Sequence, residues 1–216
     1  MKAPRSRRLF AASLVALACA GCATLNESEC RAGNWRQLGY VDGLKGYAGP
    51  RIAEHEKACA EYGVAPDSTA WRLGYVEGQA LYCTASNGYV QGRTGQTYAD
   101  VCPPQLDAAF RPAYESGRRV ASVLSRMNDI DSQLRDIASR LSEDDRRAAE
   151  YLDAARGGHK PAKRPELLSR GDRHELEREY RSLENDYAAA QRELERMDAD
   201  YSAQYDVGVL ERVQRN

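Results

Sequence analysis

Basic residues do not outnumber acidic ones in this sequence, and long apolar runs are missing outside its N-terminal end. Of the 216 residues, 31 are Lys or Arg and 32 are Asp or Glu, a balance that argues against nucleic acid as a partner. No run reaches the roughly 20 apolar residues of a membrane-spanning helix. The composition therefore predicts a soluble, exported and partly helical protein.

Sequence motifs of the common enzyme classes are also missing. There is no G-x-S-x-G elbow, no H-E-x-x-H zinc motif and no phosphate-binding loop. We therefore expect no catalytic residue, no cofactor and no bound metal. The alternative is a metal site that uses His55 and Cys59, which are four residues apart on one predicted helix.

The N-terminal 22 residues have the layout of a bacterial export signal. A basic start is followed by the apolar stretch Leu9–Ala20 and then by Gly21-Cys22. We predict that residues 1–21 are a signal peptide and that Cys22 is acylated and becomes the new N-terminus. Cys19 is a second candidate, and plain secretion is the alternative. Ala23 follows the cysteine in place of Asp, which favours a lipid anchor at the periplasmic face of the outer membrane.

Four cysteines remain once Cys19 is removed and Cys22 carries lipid. They are Cys30, Cys59, Cys83 and Cys102. An even number in an oxidising compartment predicts two disulfides, although four cysteines allow three pairings. A helical hairpin with its turn at residues 48–50 favours the pairing of Cys30 with Cys59, which leaves Cys83 for Cys102.

A motif rich in glycine and aromatic residues occurs twice, with weaker copies after it. The segment Trp35–Gly43 (WRQLGYVDG) is echoed by Trp71–Gly78 (WRLGYVEG), by Gly88–Gly92 (GYVQG) and faintly by Ala113–Gly117 (AYESG). On a helix such glycines form a smooth stripe that a second backbone can approach. Each interior glycine costs about 1 kcal/mol relative to alanine. Close packing or a ligand must therefore compensate.

The repeated motif supplies the candidate ligand-contacting residues. Aromatic faces stack on sugars, which predicts a glycan- or peptidoglycan-binding module as the alternative function. The candidates are Trp35, Tyr40, Asp42, Trp71, Tyr75 and Glu77. The competing interpretation is that the tyrosines pack against the glycine stripes. Asp42 and Glu77 occupy matching places and could serve a hydrolase, but we expect both to be solvated acids on helix surfaces.

The combination of these motifs resembles a family of small Gram-negative lipoproteins known as domain of unknown function 2799. The resemblance covers about Cys30 to Val120 and rests on the four cysteines, the repeated G-Y-x-x-G pattern and His55-x-x-x-Cys59. It implies a place in the cell envelope and brings no catalytic residue with it.

Composition changes near residue 113. Residues 22–112 hold 18 charged groups, whereas residues 113–216 hold 41 and no cysteine. Apolar residues of the second part follow heptad spacing, which predicts a coiled coil. They are Val123, Met127, Ile130, Leu134, Ile137 and Leu141, and then Leu176, Tyr180, Leu183, Tyr187, Ala190, Leu194, Met197 and Tyr201. Glycines and prolines in residues 157–165 predict a turn between two antiparallel arms.

The predicted fold class is mainly α. A small disulfide-braced Cys/Gly-rich helical domain (22–112) precedes a long antiparallel coiled-coil helical hairpin (113–216), which we expect to unfold separately. We predict a non-enzymatic envelope lipoprotein with a structural, assembly or interaction role. Its expected partners are the membrane, through the lipid anchor, and an envelope protein or peptidoglycan. Pairing of the coiled-coil arms between chains, which would cause self-association, is the alternative to an intramolecular hairpin.

Overall fold

A computed structural model describes residues 24–158 and 163–205, and these residues form seven α-helices and no β-strand. The predicted signal peptide and Cys22 lie outside the described residues. None of the described helices combines the length and the apolar character that crossing a membrane requires.

The helices follow one another with short connections, and the mainly α fold class is confirmed. They are α1 (Glu27–Ala32), α2 (Trp35–Leu44), α3 (Arg51–Ala60), α4 (Ser68–Tyr82), α5 (Ala85–Arg93), α6 (Pro104–Arg156) and α7 (Arg170–Tyr205). Helix α4 begins after Asp67, whose carboxylate accepts hydrogen bonds from the backbone N–H groups of Thr69 and Ala70. Helix α2 ends before Gly46, which has a φ of +67° that glycine adopts without strain.

Helices α2 and α4 pack through their glycines. A methyl group added at Gly39 would overlap the carbonyl oxygen of Trp71, and one added at Gly43 would overlap that of Tyr75. The contacts advance in the same direction along both helices, so α2 and α4 run parallel. Small residues one turn apart allow this close backbone approach. Close packing is therefore what compensates for the low helix propensity of these glycines.

The α2–α4 contact is nearly symmetric. Gly74 meets the carbonyl of Arg36, and Gly78 meets that of Tyr40. Matching the glycines of α2 to those of α4 therefore makes Arg36, rather than Trp35, the counterpart of Trp71. The two tryptophans of the sequence repeat are not structural equivalents.

The weaker motif copies form a second pair of the same kind. In α5, Gly92 would meet the carbonyl of Tyr114 if it carried a methyl group. In α6, Gly117 would meet the carbonyl of Tyr89. Ala113 is fully buried at the start of this fourth copy. The body of the protein is thus a duplicated unit of two parallel helices.

Each helix pair is closed by one disulfide. Cys30 bonds to Cys59, and Cys83 bonds to Cys102, which confirms the favoured pairing. In both units the first cysteine precedes the first helix, and the second lies in the connection that returns the chain for a parallel second helix. Closing loops of 29 and 19 residues stabilises each unit by about 3 kcal/mol in the chain-entropy description.

Helices α6 and α7 form the predicted antiparallel hairpin. Every residue of the predicted heptad seam is buried or half-buried, and Ile130, Ile137 and Ala190 are almost fully covered. Ion pairs cross the seam at both ends: Arg126 with Glu193, and Arg173 with Asp144. The coiled-coil seam is therefore formed within one chain.

The α6–α7 hairpin, which we call the arm, shares a core with the body of two glycine-packed helix pairs. We therefore do not retain the expectation that the two parts unfold separately. Helix α6 runs through Pro112 without a break and belongs to both parts. At the end of α7, Tyr205 packs on Tyr89 with ring centroids 5.5 Å apart. The carbonyl of Tyr205 accepts a hydrogen bond from the Ser86 hydroxyl of α5. Unfolding the arm must therefore remove packing from the second helix pair.

The glycine contacts give the first prediction. Gly39→Ala should lower the free energy of unfolding by at least about 2 kcal/mol, because the new methyl would overlap a carbonyl that cannot move without parting the helices. Gly49→Ala is the control, since no atom lies within 4 Å of its added methyl. Urea unfolding followed by circular dichroism measures both variants. Equal stabilities would contradict the packing described here.

The shared core gives the second prediction. Tyr205→Ala should lower stability by about 3 kcal/mol, because it removes a buried ring from the junction of α5, α6 and α7. Hydrogen exchange should quicken in α5 as well as at the end of α7. The exposed neighbour Gln204, changed to Ala, is the control. Faster exchange confined to α7 would mean that the arm is energetically separate.

Candidate functional site

Asp42 lies at the centre of a buried polar cluster on one side of the α2–α4 contact. It is only 5 % exposed, so the expectation of a solvated surface acid was wrong for this residue. Its Oδ2 accepts a hydrogen bond from the indole Nε1 of Trp71 at 2.9 Å and lies 2.8 Å from Nε2 of His55. The Arg51 guanidinium approaches Oδ1 at 3.9 Å. A buried carboxylate requires such partners to offset its desolvation.

His55 connects this cluster to the beginning of the described chain. It is 2 % exposed, and its Nδ1 lies 2.8 Å from the hydroxyl of Thr24. Because a carboxylate can only accept, Nε2 donates to Asp42, and Nδ1 of a neutral ring accepts the Thr24 proton. The next residue, Leu25, is buried among Trp35, Trp71 and the Cys30–Cys59 disulfide. Residues 24 and 25 are thus fixed in the body.

The order hydroxyl, imidazole, carboxylate resembles that of a nucleophilic catalytic triad. Here the imidazole and the carboxylate are almost fully buried, whereas the Thr24 residue that carries the hydroxyl is half-buried. Arg51 contributes its charge at 3.9 Å, and its Nε has no hydrogen-bond partner among the described residues. Asp42, His55, Trp71 and Thr24 form a buried hydrogen-bond network, which fixes structure. We therefore interpret it as a clamp on the N-terminal segment.

The side of the α2–α4 contact that holds Asp42 is covered by α3 and the N-terminal segment, and we call it the closed side. Other predicted ligand contacts on this side are also in the core. Trp35, Trp71 and Tyr75 are each less than 10 % exposed, so a ligand cannot stack on their rings. Tyr75 donates from its hydroxyl to the carbonyl of Tyr47 at 2.7 Å. Burial raises the pKa of Tyr75, and the charge of Asp42 raises it further. These predicted ligand contacts serve packing instead.

The opposite side of the α2–α4 contact is open. Glu77, the counterpart of Asp42, has a side chain 51 % exposed and accepts a hydrogen bond from the Arg36 guanidinium at 2.5 Å. Asn34, Gln37 and half-buried Tyr40 lie beside this ion pair, and together the five residues line a cleft of about 480 Å³. Of the predicted contacts, only Tyr40 and Glu77 remain accessible to a ligand.

Sequence reasoning missed Arg36, Asn34 and Gln37 at this cleft. Matching the glycines pairs Asp42 with Glu77 and Arg36 with Trp71. That Arg36 faces Glu77, as Trp71 faces Asp42, follows only from the register between the two helices.

The metal alternative is not supported. Cys59 is bonded to Cys30, and both ring nitrogens of His55 already have protein partners. Among the described residues, no group of three or more His, Cys, Asp or Glu side chains could hold a metal ion.

The two carboxylates give the third prediction. Asp42→Ala should lower the free energy of unfolding by about 3 kcal/mol, because it leaves the buried donors of Trp71 and His55 without an acceptor. Glu77→Ala should change it by less than about 1 kcal/mol, because its ion pair is exposed. Thermal unfolding of both variants checks the difference. Similar losses would show that the two sides are equally structural.

Among known proteins, one family model matches this chain, and the matched residues span both helix pairs of the body. No curated protein and no solved structure matches the chain. Residues 34–119 match a family model described as "Protein of unknown function (DUF2799)". The match begins one residue before α2 and ends in α6 just beyond Gly117, so it spans both glycine-packed helix pairs. Residues 34–119 of this chain are therefore similar to the DUF2799 family.

Proposed function

We propose that the protein is a lipid-anchored envelope protein with a non-enzymatic, structural or assembly role. One observation carries this proposal: the chain is fixed in the body at Thr24 and Leu25, two residues after Cys22. An acyl group on Cys22 would join the body to the membrane surface with almost no spacer. A flexible linker would let the body drift, whereas this attachment holds it against the outer membrane.

The arm is the part that such an anchor would position. Helix α6 has 53 residues and is therefore about 80 Å long. Its first turns pack in the body, and the remainder pairs with α7. A long helical hairpin on a braced body can reach a protein or a peptidoglycan strand at a distance from the membrane. Leu152, exposed near the far end, is a contact that such a partner could cover.

The hydrolase alternative has less support. Asp42 is enclosed and already hydrogen-bonded, and Glu77 forms an exposed ion pair with Arg36. A glycosidase needs two carboxylates that flank one bond. These two lie on opposite sides of the α2–α4 contact, one closed and one open.

The anchor gives the fourth prediction. Cys22→Ser should move the protein from the membrane fraction to the soluble periplasmic fraction, because an acyl chain supplies about 0.8 kcal/mol per buried CH₂. Cys19→Ser is the matched control and should remain in the membrane fraction. Retention of the Cys22→Ser protein after a carbonate wash would contradict lipid anchoring at this residue.

The role of the arm is tested by photo-crosslinking in intact cells. A crosslinking residue at position 152 should capture an envelope partner, whereas one at the exposed mid-arm position 136 should capture less of it. A flexible spacer inserted between Ala23 and Thr24 should keep the anchor yet weaken capture. Undiminished capture would show that fixed attachment is unnecessary, and muropeptides as the main product would favour the glycan-binding alternative.

A further inference from the structure

The two sides of the α2–α4 contact share one arrangement of hydrogen-bonded side chains, but only one side is covered by other described parts of the chain. In each, the acid of a G-Y-V-[D/E]-G motif bonds to a side chain of the other helix: Asp42 to Trp71, and Glu77 to Arg36. On the first side, His55 and Thr24 complete the hydrogen bonding and Leu25 covers the indole. On the second side no described residue takes that place, and a cleft of about 480 Å³ remains.

The open cleft retains unused hydrogen-bonding groups. Within the described part of the chain, the amides of Asn34 and Gln37 and the hydroxyl of Tyr40 have no hydrogen-bond partner in the protein. Glu77 uses one carboxylate oxygen for Arg36 and keeps the other free. The cleft is open to solvent, since four of its five lining residues are exposed and Tyr40 is half-buried. The cleft therefore offers donors, acceptors and one aromatic ring to a ligand.

We propose that this cleft, lined by Asn34, Arg36, Gln37, Tyr40 and Glu77, binds an uncharged saccharide. The Tyr40 ring gives a surface on which a pyranose ring stacks. The Glu77 carboxylate accepts from sugar hydroxyls, and the amides of Asn34 and Gln37 donate to and accept from hydroxyl or N-acetyl groups. The proposal goes beyond the envelope role above and does not depend on the lipid anchor.

Charge distinguishes a saccharide from the other ligand classes. The positive charge of Arg36 is matched by Glu77 at 2.5 Å, so the cleft has no net charge with which to attract a phosphate or another anion. An acyl chain would cover the exposed amides of Asn34 and Gln37 and the Arg36–Glu77 ion pair without hydrogen-bonding to them, which is unfavourable. A neutral ligand with many hydroxyl groups satisfies these side chains without burying a charge.

Binding of triacetylchitotriose and of maltotriose to the whole mature protein tests the proposal by titration calorimetry. We expect one or both to bind at millimolar concentration. Tyr40→Ala and Gln37→Ala should each weaken binding about tenfold through loss of stacking or of a hydrogen bond. Gln37 is exposed, so its substitution leaves the fold intact even if Tyr40→Ala destabilises it.

Tyr47→Ala is the matched control. Tyr47 is an exposed tyrosine outside the cleft; the Tyr75 hydroxyl bonds to its backbone carbonyl, which alanine retains, and its ring contacts Arg51, which does not line the cleft. Its substitution should leave saccharide affinity unchanged. The proposal is overturned if neither saccharide binds, if Tyr47→Ala weakens binding as much as Tyr40→Ala and Gln37→Ala do, or if a stem peptide or a fluorescent fatty acid binds in the cleft while saccharides do not.

Discussion

The body of this protein depends on direct contact between helix backbones. At four places in the first pair and three in the second, a glycine in one helix meets a carbonyl of the other. Such contacts allow no side chain between the helices, so they fix the relative position of the helices more strictly than ordinary side-chain packing does. The disulfides and the arm are built on two parallel pairs that these contacts hold together.

The duplication that creates the pairs also explains how one protein can have a sealed side and an open side. The α2–α4 pair has two similar faces, and each carries an acid directed at the neighbouring helix, Asp42 on one and Glu77 on the other. The returning helix α3 and the N-terminal segment can cover only one of them. Asp42 lies under these segments and belongs to a buried hydrogen-bond network, whereas Glu77 lies at the surface. The difference in burial between Asp42 and Glu77 therefore comes from the chain path, not from the motif.

The sequence predicted the elements that depend on local spacing. Heptad spacing located the α6–α7 seam, and the cysteine count with the hairpin argument gave both disulfides. The burial of Asp42 could not be predicted, because an acid among small residues on a helix is usually solvated and its partners are 13 and 29 residues away in sequence. The cleft was only half identified, because which side chains face Glu77 depends on the register between helices. The attachment of Tyr205 to α5 likewise depends on where the returning arm ends.

The continuity of α6 has a mechanical consequence. A force applied at the far end of the arm acts on a lever about 80 Å long whose short end is embedded in the body. The torque is transmitted along one unbroken helix to the place where Gly92 and Gly117 bring two backbones together. No described side chain lies between these two backbones that could yield by changing its rotamer. Tyr205 attaches α7, the other helix of the arm, to the same place. A load on the tip is therefore passed to the disulfide-bonded α5–α6 unit, not absorbed by bending at a joint.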